Sequence, residues 1–187
     1  MNRPDVGREE DRARRPREPA RRMGLGTAVL AALLVALAAV GPGPALAAGG
    51  DPDDMAAGLD VRSVSERNDS GTVTLTVETY DAFSDADIDI TWAIDTNGDG
   101  AFDIMVAAER ASGLVGEIED AAEEPVGAAR VSRPAPNAVA VSFPAAVVGG
   151  ACSCRYMVTA VTDFNGNGEN EPGEVDIAPD TGLYGWS

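Results

Sequence analysis

A chain of 187 residues with fourteen basic against thirty-one acidic side chains carries a net charge of −17 and contains no histidine. A field of that sign repels nucleic acid and anionic membrane surfaces and draws cations or basic partners, so a polynucleotide-binding role is excluded. The missing imidazole removes the usual Ser-His and Cys-His nucleophile arrangements.

The first 47 residues run from an arginine-rich stretch (Arg3 to Arg22) through an apolar run (Ala28 to Val40) to a Gly-Pro segment ending Ala45-Leu46-Ala47. Positive, apolar and small, in that order, is the pattern of a secretory signal peptide, with cleavage expected after Ala47. The apolar run falls short of the roughly 20 residues of a membrane span, and Pro42 and Pro44 break any helix behind it, so no span is expected after cleavage. Arg21-Arg22 leaves twin-arginine export open beside the general route. The leader takes eight basic and five acidic residues with it, leaving −20 on the remaining 140. The expected product is a secreted, extracellular protein, free or held at the cell envelope. Cys152 and Cys154 are the only cysteines. In an oxidising compartment a local disulfide at a bend is the leading reading, while zinc would need two more soft ligands.

Residues 48–58 are small, acidic and without period, and read as a disordered entry. A short strand is expected from Leu59 to Val64. After the turn residues Asn68 to Gly71, the segment Thr72 to Tyr80 sets Val73, Leu75 and Val77 against Thr72, Thr74, Thr76 and Glu78, the alternation of a half-buried strand. Asp87 to Asp95 alternates again, with Ile88, Ile90, Trp92 and Ile94 on one face. Trp92 reads as core, with a sugar-stacking platform as its alternative. Beyond an acidic loop, Phe102, Ile104 and Val106 continue an inward row while Asp103 and Met105 point away, making a hairpin. Ser112 to Asp120 offers Leu114, Gly116 and Ile118 as a weaker row. Val126 to Arg133 is a short strand closed by Pro134 and Pro136, and Asn137 to Phe143 another, ended by Pro144. Pro144 to Val148 reads as one helical turn stopped by Gly149-Gly150. Arg155 to Thr162 is the last long strand. About eight strands with short turn-rich connections predict an all-β fold, a two-sheet antiparallel β-sandwich of jelly-roll or immunoglobulin-like path, forming a single domain over residues 59–187 with a C-terminal acidic loop and tail.

Two acidic loops carry the chemistry. Calcium takes about six to eight oxygens, which a loop of about twelve residues supplies from positions one, three, five, seven (a carbonyl), nine and twelve, with glycine at six. The first loop offers Asp95, Asn97, Asp99, the Ala101 carbonyl and Asp103, with Gly100 at the turn; Val106 fails the twelfth position. The second offers Asp163, Asn165, Asn167, the Glu169 carbonyl, Glu171 and Glu174, with Gly168 at the turn. Neither is flanked by helices. Asn-Gly and Asp-Gly are also strong hairpin-turn signals, so plain turns remain the alternative.

The order Thr72 to Tyr80, then Ile-Thr-Trp-Ala-Ile-Asp-Thr-Asn-Gly-Asp-Gly-Ala-Phe-Asp from Ile90 to Asp103, then Val-Ala-Val-Ser-Phe-Pro from Val139 to Pro144, resembles secreted bacterial β-sandwich domains similar in outline to the carbohydrate-binding family 9 and DOMON group, and the arginine- and alanine-rich leader is similar to actinobacterial ones. That resemblance implies ligand or sugar binding beside structural calcium. The expected function is a non-catalytic calcium-binding module whose partners are calcium ions and either cell-wall glycan or another surface protein. A carboxylate-based glycoside hydrolase and a purely structural or adhesive surface protein are the alternatives.

Overall fold

The computed structural model describes residues 45–47, 50–55, 58–110, 114–150, 153–162 and 174–186. Within them the chain is all-β. Its strands are β1 (Ala45–Ala47), β2 (Val61–Asp69), β3 (Thr72–Thr79), β4 (Asp89–Asp95), β5 (Ile104–Arg110), β6 (Leu114–Asp120), β7 (Pro125–Ala135), β8 (Ala138–Pro144), β9 (Arg155–Val161), β10 (Val175–Ala178) and β11 (Leu183–Gly185). Two single turns of 3-10 helix, Asp85–Asp87 and Ala145–Val148, complete the regular structure. The second is the helical turn expected after Pro144, stopped by Gly149 in the left-handed region at φ 82°. No helix among the described residues is long and apolar enough to cross a membrane; the apolar run Ala28 to Val40 lies outside them.

Hydrogen bonding links the strands in one continuous path, β1-β11-β9-β4-β5-β6-β7-β8-β3-β2, with β10 beside β11 on the same edge of β9. Every pairing is antiparallel except that of β1 with β11. The expected division into two separate sheets of about eight strands is therefore replaced by one sheet that nearly closes on itself. The cause is β7. Expected to stop at Arg133, it runs eleven residues through Pro134, pairing its first half with β6 (Gly116↔Ala129) and its second with β8 (Val131↔Val141). At the far ends of the path, β2 comes against the β9–β10 edge. The Val61 N–H donates to Asp176 Oδ2 at 2.5 Å and the Leu59 N–H to Thr162 Oγ1 at 2.9 Å.

Alternation decides which side chains fill the interior. Val73, Leu75 and Val77 of β3, Ile90, Trp92 and Ile94 of β4, and Val139, Val141 and Phe143 of β8 are all buried in one cluster. Trp92 is 0% exposed, which removes it as a sugar platform. Trp186, in the expected tail, is also buried and packs on Tyr156, ring centroids 5.8 Å apart. A second cluster lies on the opposite face of β4, β5 and β9, where Ala93, Met105, Met157 and Leu183 meet Phe102 and Ile177. Met105, expected to point away, and Phe102, expected on the inward row, both belong to this second cluster, because this end of the sheet is covered on both faces.

Local chemistry fixes the connections. The β2–β3 hairpin turns through Ser70 and Gly71, both with positive φ (52° and 83°), as a two-residue turn following the right-handed strand twist requires. Arg133 ties the 83–85 connection to β8: Nη1 donates to Asp85 Oδ1 at 2.7 Å, Nη2 to the Phe83 carbonyl, and Nε to the Ala138 carbonyl. Part of the stretch read as a disordered entry makes specific contacts, with Gly50 bridging Ser63 and the Asp51 N–H donating to the Arg62 carbonyl at 3.0 Å.

Candidate metal centre

The first acidic loop joins β4 to β5 at the Ile94↔Ile104 end of their ladder. Asp95 is the last residue of β4 and is fully buried. Its carboxylate organises the loop: Oδ1 accepts from the amides of Asn97 (3.3 Å) and Gly98 (2.6 Å), and Oδ2 from the amide of Gly100 (3.0 Å). The pattern repeats two residues on, with Asn97 Oδ1 accepting from the Asp99 amide and Asp99 Oδ1 from the Ala101 amide, each at 2.8 Å. Gly98 and Gly100 adopt φ of 81° and 92°, which turns the chain between these contacts. Asp103 closes the loop, its Oδ2 accepting from the Thr96 amide at 2.8 Å and the Thr96 hydroxyl at 2.6 Å, while Asn97 Nδ2 approaches Oδ1 at 3.4 Å.

The sequence pattern did not reveal Arg155, the first residue of β9. Its Nη2 donates to Asp95 Oδ2 and to the Gly98 carbonyl, each at 2.6 Å. Burial pushes the Asp95 carboxyl up, but the amides of Gly98 and Gly100 and the Arg155 guanidinium outweigh it and hold the group below the usual carboxylate range. These contacts hold Asp95, Asn97, Asp99 and Asp103 on one loop with a guanidinium already on the innermost carboxylate, but no three acidic side chains among the described residues, those of this loop included, are gathered at metal-holding distance. Of the second loop, Asp163, Asn165, Asn167, Glu169 and Glu171 lie outside the described residues; Glu174 is buried and its carbonyl accepts from the Thr162 amide at 2.7 Å. Cys154 is disulfide-bonded, and the chain holds one other cysteine, Cys152.

A second concentration of acids has no counterpart in the sequence motifs. Asp51, Asp60 and Asp176 are 6%, 4% and 4% exposed. Burial first, then the charges of Asp176 and Asp180, push the Asp51 carboxyl up to about 7. Burial, against the amide of Val61 and with the charges of Asp60 and Asp54, pushes Asp176 up to about 6. Asp60 is raised as well, chiefly by burial. One signal was present: in Val175-Asp176-Ile177-Ala178 the parity that buries Ala178 also buries Asp176.

No protein-family model, no curated protein and no solved structure matches the chain.

Proposed function

We propose that this is a non-catalytic, exported β-module in which the β4–β5 loop takes a calcium ion that stiffens one end of the sheet. The reading rests on one observation, the run of amide contacts onto Asp95, Asn97 and Asp99 at loop positions one, three and five. Successive turns of this kind coil the backbone so that alternate oxygen-bearing side chains line the inside of the curve, where a hard cation takes them up. The Ala101 carbonyl and Asp103 are the further ligands, with water at the twelfth position, where Val106 has no oxygen to give. The absence of histidine supports a binding or structural role over catalysis. Partner recognition, by cell-wall glycan or a surface protein, falls to the outer surface. Both tryptophans are buried, and Tyr80 is the one exposed large aromatic residue among those described, so a glycan would be held by hydrogen bonds more than by ring stacking.

Arg155 favours a second reading, in which its guanidinium neutralises Asp95 permanently and the loop is a metal-free turn. Thermal unfolding of the full-length protein separates the two. With a dissociation constant on the order of 0.1 to 1 mM, typical of extracellular modules, 10 mM calcium should add about 1.4 to 2.7 kcal/mol, a rise on the order of 5 °C in Tm over chelator. Asn97→Ala with Asp99→Ala should reduce that gain. Absence of any shift at 10 mM calcium, together with a lower Tm for Arg155→Gln, would establish the metal-free turn.

A further inference from the structure

We infer that Asp51, Asp60 and Asp176 form a separate site for a hard divalent cation, calcium foremost, at the seam where β2 meets β10. Three segments far apart in sequence deliver these side chains. The Gly50–Ser63 bridge and the Tyr80 hydroxyl, donating to the Asp51 carbonyl at 2.8 Å, fix Asp51. The Tyr80 amide donates to the Asp60 carbonyl at 3.0 Å, and the Met55 amide to Asp60 Oδ2 at 3.1 Å. Asp176 is set by the β9–β10 ladder and by the Val61 amide.

The arrangement is incomplete as it stands. Asp51 Oδ2 and Asp60 Oδ1 are buried with no hydrogen-bond partner, on side chains more than nine-tenths buried. An uncompensated carboxylate oxygen out of water costs several kcal/mol. The negative charge of Asp53 bears on Asp60 as well. Asp54 and Asp180 add their charges to the same group. Among the described residues none of these six aspartates is in an ion pair, and the nearby basic side chain, Arg62, is exposed. What is missing is positive charge with several open coordination positions.

The donor set selects the ion. All the donors are oxygens, the chain has no imidazole, and Cys154 is disulfide-bonded, so zinc and copper have no soft ligand here. Calcium accepts irregular carboxylate geometry, whereas magnesium demands a near-ideal octahedron. No three acidic side chains among the described residues are already gathered at metal-holding distance. Binding therefore draws the exposed Asp53 and Asp54 side chains inward onto the buried three, and the ion clasps the entry segment, β2 and β10 together.

The inference is independent of the β4–β5 loop, and its test keeps the two apart. Chelator-stripped full-length protein is titrated with calcium by calorimetry and melted at pH 7.5 in 10 mM calcium and in chelator, as wild type, as Asn97→Ala/Asp99→Ala, and as Asp51→Asn and Asp60→Asn. Asp60→Asn keeps an acceptor for the Met55 amide while removing a buried charge, so it should melt higher than wild type in chelator. It should also bind one calcium fewer and lose at least about half of the calcium-dependent gain in Tm. The loop variant should keep that share of the gain. Unchanged calcium stoichiometry in both Asp51→Asn and Asp60→Asn overturns the site, even where they raise Tm in chelator, since the cluster then holds only shared protons. A calcium response lost wholly in the loop variant overturns it as well and leaves the loop reading standing. No response in wild type removes both.

Discussion

Asp89 opens β4 with its Oδ1 buried and unpartnered and Glu109 directly across on β5. Burial, then the Glu109 charge, pushes its carboxyl up to about 7, and Glu109 is itself raised by burial and by Glu117 one strand further. A carboxyl whose folded value lies above its unfolded value of 3.8 costs nothing while both states are protonated. Stability is then lost as pH rises from about 4 through 7, where only the unfolded state ionises freely. Asp89→Asn should therefore stabilise the protein by on the order of 2 kcal/mol at pH 8 and by almost nothing at pH 4, read from melting curves at the two values. An equal effect at both would show that the side chain is not held protonated by the fold. At this scale the motif residues were legible because their spacing is local: Asp95, Asn97, Asp99 and Asp103 carry their pattern within nine residues. Arg155, 60 residues from Asp95, was not, because only the β4–β9 pairing sets it opposite, and neither was the group of Asp51, Asp60 and Asp176, which meets where the two ends of the nearly closed sheet approach.

Among the elements, β3 could be read directly, since Val73, Leu75 and Val77 alternate against polar neighbours and bury on one side as alternation requires, and so could the inward row Ile90, Trp92 and Ile94 of β4, although the other face of β4 is buried as well. β7 could not. Its sequence, PVGAARVSRPA, has no buried row and contains prolines at Pro125 and Pro134, so it reads as a short strand that Pro134 closes. Its exposure follows from its position as the turning strand of the path, with partners that change along its length. The junction with β6 is tight. A Cβ added at Gly116 would lie 2.4 Å from the Ala129 carbonyl oxygen and 2.9 Å from the Ala129 Cβ, contacts that no side-chain rotation relieves. Gly116→Ala should cost about 1 to 3 kcal/mol, a loss of several degrees in Tm. Gly127→Ala, whose nearest contact is an isoleucine methyl at 3.5 Å, should be far milder and serves as the control.

For the molecule as a whole, the all-β class followed from the sequence because strand periodicity and turn residues are repeated along its whole length. Sheet closure did not, because it depends on how one exposed strand divides its pairings. The order of that path also sets a sequence of events in time. From β4 to β8 each strand pairs with the next, so these five strands assemble through short loops at little entropic cost. β3 must instead find β8, and β9 must find β4, across 60 or more residues. Long-range pairing of this kind is slow, so the meander should gain protection first and the seam between β2 and β10 last. Pulsed hydrogen-exchange labelling during refolding should show the amides of β4 to β8 protected ahead of the seam amides at the start of β2, Leu59 and Val61, which bond across to Thr162 and Asp176. Simultaneous protection of all these amides would refute it. The buried acids at the seam then remain in water until the final step of folding, so the penalty of desolvating them should slow that step alone, and a cation that binds them should shorten the life of the last open intermediate.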